Sequence, residues 1–359
     1  MGTIAANLLS LNTTKAKLKQ NLLYSGIDSS AENNFDDLVD MAFDEEIAWQ
    51  PDPAWLAVQD LRTWTPEGGI GLIISNHGYG LTSFIVGTAG AAQYTVVVND
   101  GTSDISTTNY ASGAQADISV TPGDGTTYYA VKITSAAAII RFQVTRSAGI
   151  AQTNQQMPIL WFYGNLTSLT SCLEMFYKAT VRCHILQAVH IADTALVTNM
   201  SSMFITCASL RSVPAVMDTA RVTNMSYMFS GCASLRSVPA ISSYAVVTDM
   251  TAFGAAMRAL ELAQLDVSAA TTLTKLQLTE ASGLKGLIVS SSAPWTGTPA
   301  PHIEITNCGL DSTALIALFN SLGTIAGKTI KVTGNPGVAD LSAGDLAIAT
   351  NKGWTVTTT

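Results

Sequence analysis

The sequence predicts a mainly β chain with some α-helix, in three parts: an N-terminal helical segment, a β-sandwich and a C-terminal solenoid of repeats. Three observations carry this reading. Segments rich in β-branched and aromatic residues alternate with turn residues over about 66–146. A repeat with a period of 25 then takes over: Val197-Thr198-Asn199-Met200-Ser201-Ser202-Met203-Phe204 returns as Val222-Thr223-Asn224-Met225-Ser226-Tyr227-Met228-Phe229, and Cys207–Ala215 returns unchanged at 232–240. Finally, only 12% of residues are charged while 47% are apolar, against roughly a quarter charged in an ordinary soluble domain. A surface faced with hydroxyls instead of charges suits repetitive β structure.

The same composition excludes several classes. Disorder needs low hydropathy and high charge, whereas mean hydropathy here is +0.28. A net charge of -8 repels phosphate and argues against nucleic acid as a partner. No run approaches the roughly 18 consecutive apolar residues of a membrane helix, so no membrane insertion is expected. Five cysteines, an odd number spread over 172–308, argue against a disulfide scaffold and for a reducing cytosol. Met1-Gly2-Thr3-Ile4 has no basic n-region and Ala6 fails the myristoylation pattern, so neither an export signal nor a lipid anchor is expected there.

Over 1–48, Asn12-Thr13-Thr14 can cap a helix in which Ala16, Leu18, Leu22 and Leu23 alternate with Lys15, Lys17 and Lys19, ended by Gly26. A second short helix spans Phe35–Phe43. Two such helices cannot enclose a core, so the segment is expected to anchor on another subunit. Residues 49–65 form a Pro/Trp linker, since Pro51 and Pro53 fix φ and block helix. Over 66–150 the expected strands are Gly71–Ile74, Phe84–Val86, Tyr94–Val98, Ala116–Val120, Tyr128–Ile133 and Ile139–Val144, parted by turns such as Asn99-Asp100-Gly101 and Pro122-Gly123-Asp124-Gly125. That spacing indicates an immunoglobulin-like sandwich. Residues 151–359 form the solenoid, because a period in the twenties lets each unit stack on its neighbours.

Within the repeats one strand column is expected: Leu186/Val189/Ile191, Leu210/Val213/Ala215, Leu235/Val238/Ala240, Leu262/Leu265/Val267, Leu284/Leu287/Val289, then Ile303/Ile305, Ile330/Val332 and Trp354/Val356. This is a leucine-rich-repeat pattern. Late units add helices: Asp311 caps Ala314–Leu322 before Gly323, and Ser342 with Asp345 opens another before Gly353. These helices and the polar tail Thr357-Thr358-Thr359 suit a cap.

The Val-Thr-Asn-Met-x-x-Met-Phe…Cys-x-Ser-Leu unit over about 165–290 resembles the BspA-like leucine-rich repeats of bacterial surface proteins, also found in mycoplasma lipoproteins and some phages. The segment Thr14–Lys19, Gly26-Ile27-Asp28 and Phe35…Leu38 is similar to the leading segment of phage tail and virion proteins. Tyr94-Thr95-Val96-x-x-x-Asp100-Gly101-Thr102 with Tyr110-Ala111-Ser112-Gly113 resembles a module of prophage structural proteins, with Val97, Val98 and Asn99 in place of its usual Asp-Trp-Gly. Together the resemblances imply a virion component of tail-fibre or baseplate type, assembled in the host cytoplasm. It would be anchored to other virion proteins through its N-terminal segment and would form a homo-oligomer.

No enzymatic constellation emerges, so the expectation is a non-enzyme with no cofactor and no metal. His77, His184, His190 and His302 show no metal-ligand spacing, and Cys183-His184 with His190 is the nearest approach to a cluster. Gly68-Gly69-Ile70-Gly71 lacks the Lys and the following helix of a phosphate loop. Asp100, Asp104 and Asp124 read as turn residues bonding their own backbone in preference to calcium ligands. Cys207 and Cys232, one unit apart, read as small core hydrophobes, with a disulfide as the alternative. The Met and Phe columns read as core ladders, and Asn199 and Asn224 as bonding turn backbone. One feature exceeds a structural account: Arg211, Arg236, Lys285, Lys328, Lys331 and Lys352 are expected on one solenoid face, a binding surface for an acidic host glycan, a host protein or a neighbouring subunit. The alternative is neutralisation by Asp266 and Glu304. Two rival readings stand beside the lead: a purely structural tail or capsid decoration subunit, and a BspA-like bacterial surface adhesin.

Overall fold

The computed structural model describes residues 64–75, 81–100, 103–119, 128–145, 155–156, 159–178, 181–182, 186, 188–211, 213, 216–238, 240–241 and 243–359. The chain divides into units Met1–Pro51 and Asp52–Thr359, and every described residue belongs to the second. The helices expected over 1–48 and the linker up to residue 63 lie outside the described residues.

Seven strands open the second unit: β1 (Ile70–Ser75), β2 (Leu81–Thr88), β3 (Tyr94–Asn99), β4 (Asp104–Tyr110), β5 (Gln115–Ser119), β6 (Tyr128–Ser135) and β7 (Ile139–Val144). Strands β5-β2-β7 form one antiparallel sheet. The other has the order β12-β9-β1-β6-β3-β4, completed by β9 (Ile159–Gly164) and β12 (Ala188–Ile191) from the repeat region. All its pairs are antiparallel except β9 with β12. The period-2 pattern explains the burial: Tyr94, Val96 and Val98 are buried, while Thr95 and Val97 between them are partly open. The sheets meet through aromatic rings, Phe142 lying 5.4 Å from Phe84 in its own sheet and 5.1 Å from Phe162 in the other.

Beyond these sheets come three two-residue strands, β8 (Gln155–Gln156), β10 (Tyr177–Lys178) and β11 (Val181–Arg182), and then a parallel stack. Its strands are β13 (Val216–Met217), β14 (Ala240–Ile241), β15 (Asp249–Ala255), β16 (Leu265–Val267), β17 (Lys275–Thr279), β18 (Leu287–Val289), β19 (Ile303–Thr306), β20 (Lys328–Lys331) and β21 (Trp354–Thr357). They fall into two columns. The first is the parallel sheet β15-β17-β19-β20-β21. Bridges Asn199↔Asn224 and Asn224↔Asp249 extend it backwards, as do the bonds from Cys172 N–H to Asn199 O (2.9 Å) and from Met200 N–H to Asn224 O (3.0 Å). The second column holds the pairs β13 with β14 and β16 with β18. After β18 two helices occupy it, α1 (Ser312–Ser321) against β18 and α2 (Ala343–Thr350) against α1.

The fold class read from the sequence therefore needs correction. Strand is the main regular structure of the described residues, in six separate sheets with two α-helices, and no single leucine-rich-repeat solenoid column runs through them. The expected column merges two. Leu265/Val267 and Leu287/Val289 lie in the second column, whereas Ile303/Ile305, Ile330 and Val356 lie in the first. The cause is that a unit can give a strand of like apolar spacing to each column, and the expected series passes from β18 in the second to β19 in the first. Side-chain-to-carbonyl bonds link Thr223 to Thr198 and Thr248 to Thr223 at separations of 25, whereas Glu304 and Lys331 meet at a separation of 27. The helices then displace the second strand altogether. Several strands are absent from the sequence reading, among them β4, β9, β15 and β17; β4 escapes it because Asp104-Ile105-Ser106-Thr107-Thr108-Asn109 buries nothing and shows no apolar alternation.

One core runs through all of this. Phe162 meets Phe176 at 5.1 Å, Phe176 stacks on Phe204 at 5.5 Å, Phe204 on Phe229 at 5.5 Å, and Phe253 closes the series edge-on at 5.5 Å. From β17 onward the same inner positions are aliphatic: Leu276, Leu278, Ile303, Ile305 and Ile330 are all buried. Backbone groups between units are satisfied by the parallel ladder, and the hydroxyls of Thr223, Thr248 and Thr274 add bonds to the carbonyls of Thr198, Thr223 and Thr248. Asn199, Asn224 and Asp249 each accept a bond from the backbone N–H two residues on, at 2.8 Å, fixing the turn in these three units.

Candidate functional site

A connected polar grouping lies on the outer face of β17, β19 and β20. Alternation places it there. Leu276, Leu278, Ile303 and Ile305 point inward, so Gln277, His302 and Glu304 point outward, and the parallel register sets Gln277 beside Glu304 and Glu304 beside Lys331. Glu304 accepts from Gln277 Nε2 at 2.8 Å and pairs with Lys331 Nζ at 3.2 Å. Lys275, at 7% exposure, donates its Nζ to Pro299 O at 2.8 Å. His302 Nδ1 accepts from the backbone N–H of Thr329 at 3.1 Å, which leaves the ring proton on Nε2 of the neutral imidazole. Burial, reinforced by the nearby Lys328 and Lys275 ammoniums, holds His302 below the ordinary histidine pKa. The face is a cation-rich, internally bonded grid with one carboxylate.

The structure does not bring the six cations expected on one face together. Lys331 belongs to the grid, and Lys328 lies on the same strand near His302. Lys352 points elsewhere: its Nζ donates to Phe319 O at 3.0 Å and Asn320 O at 2.7 Å, closing the C-terminal end of α1. Lys285 donates to Ser282 O at 3.2 Å. Arg211 and Arg236 share a corner on adjacent units, and the next unit follows them with Glu261, whose N–H bonds Arg236 O at 2.7 Å. Of the two carboxylates expected to neutralise the row, Glu304 pairs with Lys331, and Asp266 accepts from the backbone N–H of Ser268 at 2.8 Å. The residues the sequence reading misses, Lys275 and Gln277, carry a signal: aligning the units on Thr198, Thr223, Thr248 and Thr274 puts 275–277 in the first column.

The other candidates have structural places of their own. Cys172, Cys207, Cys232 and Cys308 are buried and not joined in disulfides. Burial pushes Cys172 up to about 12 and Cys308 up to about 11, and it raises Cys232, which donates to Phe204 O at 3.1 Å. Such thiols stay protonated and unreactive. Asp100 accepts from Ser103 N–H at 2.9 Å and Asp104 from Asn99 Nδ2 at 2.9 Å. His190 stacks on Tyr163 at 4.7 Å. Asp124, His77, Cys183 and His184 lie outside the described residues. Gly68, at φ 75°, turns the chain directly into β1 with no helix after it. Among the described residues no group of three or more His, Cys, Asp or Glu is placed to hold a metal ion, and no helix is long and apolar enough to cross a membrane.

Comparison with known proteins places one segment. Residues 170–281 match a family model described as a Mycoplasma protein of unknown function, DUF285. The match covers the same repeats on which the likeness to BspA-like surface proteins rests. Neither the curated proteins nor the solved structures contain a match to this chain.

Proposed function

We propose that the chain is a non-enzymatic component of a phage particle, a tail-fibre or baseplate-associated protein whose repeat stack is a rigid surface for contact with host or neighbouring subunits. The observation that carries this reading is the unbroken aromatic core from the paired sheets into the stack, through Phe142, Phe162, Phe176 and Phe204. It makes one stiff body of the two regions, suited to holding a surface at a distance. The polar grid around Glu304 is bonded to itself and to backbone, in keeping with a structural role. The resemblances at 14–38 and 94–113 support the particle, where the N-terminal segment would attach to other virion proteins. Arg211, exposed at its corner of the stack, is the candidate for a glycan or protein contact, since Lys285, Lys331 and Lys352 have bonds of their own.

A second reading, a bacterial surface adhesin, is favoured by the DUF285 match at 170–281. Antibody raised against the purified chain separates the two by electron microscopy. Label on the tail or baseplate of purified particles supports the proposal. Label confined to the bacterial envelope, with particles bare, rejects it for the adhesin.

A further inference from the structure

We propose that two copies of this chain associate through β4, pairing antiparallel edge to edge so that the six-stranded sheet continues into its mate. The proposal does not depend on the particle reading.

Strand β4 ends the sheet order β12-β9-β1-β6-β3-β4, and among the described residues it pairs only with β3. An end strand leaves a row of N–H and C=O groups open to pairing with another chain, and proteins commonly blunt such edges with lysine, proline, a charge at the centre, or a covering segment. The smaller sheet shows these devices. Its edge strand β5 carries Asp117 at its centre, and β7 is covered where Thr170 N–H bonds Ile140 O at 3.1 Å and Val144 N–H bonds Met175 O at 3.1 Å. Strand β4 shows none of these four; its one blunting feature is a bulge at Ile105, where the pairing with β3 steps from Val98↔Ser106 to Asn99↔Asp104 and leaves Ser106–Tyr110 regular. Its seven residues, Asp104-Ile105-Ser106-Thr107-Thr108-Asn109-Tyr110, include no lysine, arginine or proline, every one from Asp104 to Asn109 is exposed, and Ile105 leaves 49% of its surface in water.

The sequence of β4 is compatible with itself under a two-fold axis at Thr107. Antiparallel pairing about that axis sets Thr107 against Thr107, Ser106 against Thr108, Ile105 against Asn109 and Asp104 against Tyr110. Hydroxyl pairs directly opposite each other stabilise a sheet, and like charges opposite each other destabilise it. The single charge, Asp104, meets a tyrosine and not its own copy, and it is held back toward its own sheet by Asn99 Nδ2 at 2.9 Å. Such an interface is isologous, the commonest symmetry of homo-oligomers, and it covers the exposed Ile105.

Sedimentation of the full chain across a concentration series tests this, with Thr107→Lys as the disrupting variant. Thr107 is exposed, so the substitution leaves each sandwich intact, and it sets two ammoniums opposite each other on the axis. Expected are twice the single-chain mass for the natural sequence at the upper concentrations, the single-chain mass for Thr107→Lys throughout, and unchanged circular dichroism. A second pair of variants reads the register. Under mild oxidation Thr107→Cys should cross-link to its own copy and Ile105→Cys should not, with the natural chain as the blank. A natural chain that stays monomeric, a Thr107→Lys variant that still doubles, or cross-linking through Ile105→Cys instead of Thr107→Cys would each overturn the proposal.

Discussion

At the scale of the residue, the stack turns its corners with a column of left-handed backbones: Thr206 (φ 60°), Gly231 (78°), Ala256 (58°), Glu280 (55°), Asn307 (54°) and Gly334 (73°). Glycine takes this conformation freely, whereas an L side chain costs about 1–2 kcal/mol there, and a β-branched one is the worst suited. Thr206 also buries a hydroxyl with no partner. Replacing Thr206 by glycine is therefore expected to stabilise the protein by about 1 kcal/mol, after the added freedom of the unfolded chain is offset; a lower urea midpoint for Thr206→Gly would contradict this. His302 makes a pH-dependent prediction. Its folded-state pKa lies below its ordinary value of 6.5, so its contribution is complete above that pH and is lost as pH falls from there through the folded pKa. Protonation would put a hydrogen on the Nδ1 that accepts from Thr329, on a face that already holds Lys275, Lys328 and Lys331 against Glu304 alone. Urea titrations on either side of pH 6.5 should show stability falling on the acid side, and His302→Gln should flatten that slope.

At the scale of the element, some of the structure was legible locally and some was not. Asp311 accepts from Ala314 N–H at 2.8 Å, and Ser342 with Asp345 makes a full capping box, so both helix starts follow from residues three apart in sequence. The end of α1 depends on Lys352, more than thirty residues away, and no local rule reveals it. Lys352→Met should fray α1 at a cost of about 1 kcal/mol, comparable with the loss of the N-cap in Asp311→Ala. Faster amide exchange over 312–321 in both variants, toward the C-terminal end in the first and the N-terminal end in the second, would check this. Strand β4 illustrates the opposite failure, since an edge strand that buries nothing leaves no apolar period to read. The six-cation face failed for a third reason. A unit can give a strand to each column with the same Leu/Ile spacing, so a series that passes from Leu287 in β18 to Ile303 in β19 changes face with no change of pattern.

At the scale of the whole molecule, the sequence marks a change of pattern near residue 150, yet the structure carries its sheet and its core across that point. Strands β9 and β12 come from beyond it, and Phe162 and Phe176 continue the rings of Phe84 and Phe142 into Phe204, Phe229 and Phe253. Neither hydropathy nor repeat spacing encodes that continuity, because it depends on which strands become neighbours. Repeat arrays ordinarily behave as sums of nearest-neighbour terms; a shared aromatic core couples the first units to the sheets before them. The stiffness that the proposed role requires depends on this coupling, and Phe176 stands at the junction. Truncating it to alanine removes ring contacts on both sides, at a cost of about 3–5 kcal/mol. Native-state hydrogen exchange on the full-length Phe176→Ala chain tests the coupling most directly. A shared core predicts that protection falls together in β7 and β9 on one side and in 199–204 on the other. Loss confined to one side, with the other as protected as in the natural chain, would contradict it.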